Sequence, residues 1–204
     1  SHWAAWNLEC ALATPAFFAA AGLDQIPGAG PLSVSVPGAV AGWVDAHERY
    51  GSMDFADLLE TGIDYARDGF AVSTRLAQDF EEQGANLNQA GLDLYLPNAA
   101  APPVGSLLRN PALADSLQIV ATEGKEGFYQ GDIAKRLSAF ITEQGGYLRP
   151  EDFANHTSNW VTPLRGDYLD HEFIVMPPNT QGVTQLALFE MAKSHDLAQQ
   201  GQNS

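Results

Sequence analysis

Apolar residues Phe55, Leu58, Leu59, Ile63 and Ala66 recur at the spacing of one helical face, with Asp54 placed to cap and Gly69 placed to stop. The same reading predicts a helix from Ala39 to Tyr50 ended by Gly51, and another starting at Ser73 with Leu76, Ala77 and Phe80 on one face. Further helices are predicted from Pro111 to Glu123, running into Gly124-Lys125-Glu126-Gly127, and around Ile133, Leu137, Phe140 and Ile141, between Asp132 and Gly145-Gly146. Pro150-Glu151-Asp152 suits a first helical turn, where proline's missing N–H is not needed. Period-two alternation predicts a short strand over Leu32-Ser33-Val34-Ser35-Val36, stopped by Pro37-Gly38. Tyr168 to Met176 reads as one strand and Val183 to Lys193 as an apolar helix. Asn86 to Pro103, rich in Asn, Ala and Pro, reads as a long loop. Nothing repeats, and no internal boundary is drawn: the expectation is a single partial domain over residues 1–204.

Composition narrows the function classes. A chain of 204 residues that is 45% hydrophobic is long enough for one sizeable core. Its net charge of −15, with 10 basic residues, argues against nucleic acid and anionic membrane as partners, because both need clustered Lys and Arg. No run reaches the roughly 18 apolar residues of a membrane span, so no membrane insertion is expected. The single cysteine, Cys10, supplies neither a disulfide framework nor a Cys-rich zinc site. His2, His47, His156, His171 and His195 are scattered, which argues against a metal centre. The opening Ser1-His2-Trp3 lacks an initiator Met, read as a removed leader or a fragment.

Few motifs carry chemistry. Gly124-Lys125-Glu126-Gly127 has its lysine in the wrong place for a phosphate loop, and no Gly-x-Ser-x-Gly elbow is present. The carboxylates Glu151, Asp152, Asp167, Asp170 and Glu172 are of the type that supplies an acid/base pair, but each is expected on the solvated surface. The junction Met176-Pro177-Pro178-Asn179-Thr180-Gln181-Gly182 has a sharper set of readings. Thr180 is either a nucleophile on a tight strand-to-helix turn or, with Asn179, a helix cap. In the capping reading the prolines end the strand by removing backbone donors, and Gly182 allows close backbone approach. In a middle reading Asn179, Thr180, Gln181 and Gly182 lie near a substrate cleft.

Six phrases together resemble the γ-glutamyltranspeptidase family, including its cephalosporin-acylase-like relatives. They are SVPGAVAGW (Ser35 to Trp43), RYG followed by FADLL (Arg49 to Leu59), YARDGFAVSTRLA (Tyr65 to Ala77), EGFYQGDIAKRL (Glu126 to Leu137), EQGGYLRPEDFA (Glu143 to Ala154), and TPLRGDY leading to VMPPNTQG (Thr162 to Gly182). The phrases also have structural readings: Pro37-Gly38-Ala39 turns a strand into a helix with Trp43 packed beneath, and Phe128-Tyr129 is an aromatic pair buried beside a turn.

The resemblance implies an α+β fold, a partial αββα sandwich of the N-terminal-nucleophile (Ntn) hydrolases: mostly the helical lobe of the large subunit with a few strands. It implies a precursor that cuts itself, exposing a threonine whose own α-amine serves as base. That threonine belongs to a small subunit, the implied partner, and no residue of this chain is assigned a catalytic role. The implied substrate is glutathione or another γ-glutamyl amide, with transfer to water or an amino acid. No metal or organic cofactor is implied. An interior Thr180 has no free α-amine, which favours the cap. The family's arginine for the substrate α-carboxylate would fall near Trp6, where this chain has none. Two alternatives stay open: a related amide acylase, which would not require that arginine, and a truncated non-catalytic scaffold. Bacterial members suggest a periplasmic or extracellular location.

Overall fold

Side-chain caps start five of the nine α-helices among the described residues, through Thr14, Asp54, Ser73, Asn88 and Asn110. In a computed structural model that describes residues 3–6, 10–177 and 180–195, the chain runs through β1 (Trp3–Trp6), α1 (Pro15–Ala20), α2 (Ala39–Tyr50), α3 (Phe55–Asp68), β2 (Phe70–Ala71), α4 (Thr74–Gln83) and α5 (Gln89–Tyr95). It continues through β3 (Leu107–Leu108), α6 (Pro111–Tyr129), α7 (Asp132–Glu143), α8 (Pro150–Ala154), β4 (Ser158–Val161), β5 (Leu164–Tyr168), β6 (His171–Val175) and α9 (Gly182–Ala192). Helices dominate and the strands are short, the expected α+β class. Contacts divide the chain into two compact units, Leu8–His156 and a second made of Ser1–Asn7 with Thr157–Ser204.

The predicted caps at Asp54 and Ser73 are in place. Asp54 Oδ1 accepts from the Ala56 N–H at 2.9 Å, and Ser73 Oγ accepts from the Leu76 N–H at 3.2 Å. Gly69, with φ 98°, ends α3 in a conformation that L side chains resist. α6 breaks at Gly124 (φ 59°, ψ −138°), where the sequence placed its end, and then resumes to Tyr129.

Three expectations are corrected. Leu32 to Val36 is not a strand: Pro31–Ser33 forms a 3-10 turn, Ser33 Oγ donates to the Gly30 carbonyl at 2.8 Å, and Val36 is buried without strand pairing. The alternation there lines a core rather than a sheet. Asn86 to Pro103 is not all loop, because Asn88 Oδ1 caps α5 through the Gly91 N–H at 2.9 Å, and Tyr95 stacks on Phe80 at 5.0 Å. The strand expected over Tyr168 to Met176 narrows to β6, His171–Val175, and is one arm of a hairpin whose other arm, β5, was not expected: the two pair antiparallel from Leu164↔Val175 to Tyr168↔His171. The hairpin turn has Leu169 at φ 52°, with no glycine to signal it.

The turn after α5 places two successive non-glycine residues at positive φ, Asn98 at 61° and Ala99 at 59°. Asparagine tolerates this geometry and alanine does not, since a left-handed L-residue costs about 1 kcal/mol or more. Ala99→Gly is therefore expected to stabilise the protein by about 0.5–1 kcal/mol, read as a higher denaturation midpoint in urea.

In the larger unit the main core gathers Phe18, Val36, Val40, Val120, Tyr129, Leu148 and Phe153. A satellite cluster of Ile63, Ala66 and Ala114 joins α3 to α6. In the second unit β1 pairs antiparallel with β4, from Trp3↔Val161 to Trp6↔Ser158.

Candidate functional site

The junction between β6 and α9 is built on the β5–β6 hairpin. Phe189 of α9 stacks on Tyr168 at 5.1 Å and tilts against Phe173 at 4.3 Å. Leu186 lies over Gly166, where a Cβ would come within 3.0 Å of its Cδ2. Arg165 Nη1 meets Glu172 Oε2 diagonally across the hairpin at 2.7 Å, on exposed side chains.

Thr180 is exposed, and its hydroxyl serves its own turn. Its N–H donates to the Pro177 carbonyl at 3.1 Å, its Oγ1 donates to the same carbonyl at 3.2 Å, and Oγ1 accepts from the Gly182 N–H at 3.3 Å. Gln181 holds the N-cap position of α9 and makes no side-chain cap bond. A Cβ on Gly182 would lie 2.6 Å from the Met176 carbonyl oxygen and 2.8 Å from Val175 Cβ, so the chain can enter α9 this closely only with glycine. Asn179, the remaining candidate, lies outside the described residues. The position matched to the carboxylate-binding arginine, near Trp6, falls on β1 opposite Ser158.

The structure also brings together phrases that the sequence treats separately. Tyr129, from EGFYQG, donates its hydroxyl proton to the Pro37 carbonyl at 2.6 Å and accepts from the Ala41 N–H at 3.1 Å, both in SVPGAVAGW. Gly38, the N-cap of α2, has no side chain to offer, so a distant phenol performs the capping. Lys125 Nζ pairs with Asp45 Oδ1 at 2.5 Å, tying α6 to α2 a second time. Asp45 holds the Lys125 ammonium above its ordinary value.

Asp152 departs from its expected surface role. It is 6% exposed, and its two oxygens accept from the Ala11 and Arg149 N–H groups, each at 2.9 Å. Its carboxylate joins two chain segments and closes the first turn of α8, a structural duty that leaves no acid/base pair there. Trp43 also departs from expectation, since it is 47% exposed instead of packed beneath the Pro37-Gly38-Ala39 turn. Phe128 and Tyr129 do form the expected aromatic pair, edge-on at 4.9 Å, with Tyr129 buried and Phe128 half-buried.

Other polar groupings are structural. Ser194 Oγ and His195 Nδ1 lie 2.9 Å apart, but both reach the Met191 carbonyl, at 2.7 and 3.3 Å, and so finish the end of α9. Among the described residues no group of three His, Cys, Asp or Glu is placed to hold a metal ion, and no helix is long and apolar enough to cross a membrane.

Burial pushes the Cys10 thiol and the Tyr129 and Tyr147 phenols above their ordinary values. For Tyr129 the Ala41 N–H bond partly offsets this rise. Each group stays protonated longer in the folded state than in the unfolded chain. As pH rises, the unfolded state therefore releases its protons first, and stability falls. Stability is expected to hold below about pH 9 and to drop above it, through the thiol first and the phenols from about pH 10. Thermal midpoints measured from pH 7 to 11 check this, and a midpoint that is flat to pH 11 contradicts it.

The chain as a whole is similar to known proteins. The family model described as Gamma-glutamyltranspeptidase matches residues 9–204. The glutathione hydrolase-like YwrD proenzyme of Bacillus subtilis (strain 168) is 32% identical over 169 residues, which cover 82% of this chain and 32% of that protein. The structure of Helicobacter pylori gamma-glutamyltranspeptidase superposes with a TM-score of 0.80 at 26% identity, over 89% of this chain and 53% of that one. Cephalosporin acylase from Bacillus halodurans gives a TM-score of 0.84 at 29% identity, over 96% of this chain and 38% of that one. The chain thus spans about a third or less of the curated relatives it matches, 32% of one and 26% of another. With the family model matched over nearly its whole length, this chain belongs to the γ-glutamyltranspeptidase family, a family of enzymes.

Proposed function

We propose that these residues form part of the large subunit of an autoprocessed γ-glutamyl amide hydrolase or transferase, with glutathione or a similar γ-glutamyl amide as donor. The observation that carries this reading is the family match over residues 9–204, supported by a relative named as a glutathione hydrolase-like proenzyme. The nucleophile in this reading is a threonine outside these residues, freed at the start of a small subunit so that its α-amine takes the hydroxyl proton. Its oxygen attacks the γ-glutamyl carbonyl, and the amide C–N bond breaks as the protonated α-amine returns the proton to the departing amine. The ester acyl-enzyme that remains passes its γ-glutamyl group to water or to an amino acid amine, which restores the threonine hydroxyl. The residues described here contribute a scaffold. Asn179, Thr180, Gln181 and Gly182 are the positions proposed to border the substrate cleft.

The test uses the whole natural protein that contains this chain. Intact-mass analysis and N-terminal sequencing are expected to find a second chain beginning with Thr, and a γ-glutamyl anilide is expected to be cleaved. Thr180→Ala is expected to keep activity within about tenfold, because its hydroxyl only bonds its own turn. A loss of 1,000-fold or more, the scale on which a nucleophile is lost, would make Thr180 the nucleophile instead.

A second reading, amide acylase, is favoured by the TM-score of 0.84 with a cephalosporin acylase over 96% of the chain. Glutaryl or adipyl amides cleaved faster than γ-glutamyl donors would select it. A protein that travels as one uncut chain and cleaves neither donor is a non-catalytic scaffold.

A further inference from the structure

We draw no further inference here: the strongest candidate, the outward apolar face of α9 carrying Val183, Leu188 and Met191, carries none because nothing in the structure shows what covers it.

Discussion

Replacing Phe153 with alanine is expected to destabilise the larger unit by about 3–5 kcal/mol, the usual cost of removing a buried aromatic ring and leaving a cavity. Phe153 is 0% exposed and heads the largest fully buried side chains described. It sits on α8, a helix of five residues. So short a helix has little stability of its own and depends on packing to persist. Truncating the ring therefore removes both a piece of the core and the main anchor of the helix. The measurement is urea unfolding followed by tryptophan fluorescence. A midpoint shift worth less than about 1 kcal/mol would mean that the site collapses around the void or was never tightly packed. Phe153→Leu, which keeps most of the volume, is expected to lose less than half as much.

Asp152→Ala is expected to cost about 2–4 kcal/mol. The variant strands two backbone donors, the N–H groups of Ala11 and Arg149, and hydrogen bonds to a charged acceptor are worth about 1.5–3 kcal/mol each. Asp152→Asn keeps one accepting oxygen and is expected to recover part of the loss. Equal losses in the Ala and Asn variants would mean that a single neutral acceptor contributes nothing and that only the intact carboxylate holds the two segments. The neighbouring Phe153→Ala and Asp152→Ala changes share α8, so their combined effect is expected to fall short of the sum.

The helix ends were legible because the groups that set them are close in sequence. Asp54, Ser73, Gly51 and Gly69 each act on backbone within a few residues, and the chain spells them out. What was misread depends on distance or on absent signals. Asp152 looked like a surface carboxylate because one of its donors, Ala11, lies 141 positions away. The pairing of Trp3–Trp6 with Ser158–Val161 is equally non-local. β6 was legible but its partner β5 was not, because the turn between them puts Leu169 at a positive φ without the Asn-Gly pair that announces a hairpin. At the candidate site, the close approach at Gly182 was readable from a glycine following two prolines. That Gln181 occupies the N-cap position without bonding was not, since glutamine is outside the set of preferred N-cap residues while Asn179 and Thr180 beside it are within it.

The bond from Tyr129 to the start of α2 has a consequence for the chain as it is made. Ala41 and Tyr129 are separated by 88 positions. At a synthesis rate of about 5–20 residues per second, the phenol is added roughly 4–18 s after the turn it completes. During that interval the first turn of α2 has an open N–H at Ala41 and a glycine where a capping side chain would stand. The nascent helix is therefore expected to fray from that end, leaving Val40 and Val44 accessible to a chaperone until α6 leaves the ribosome.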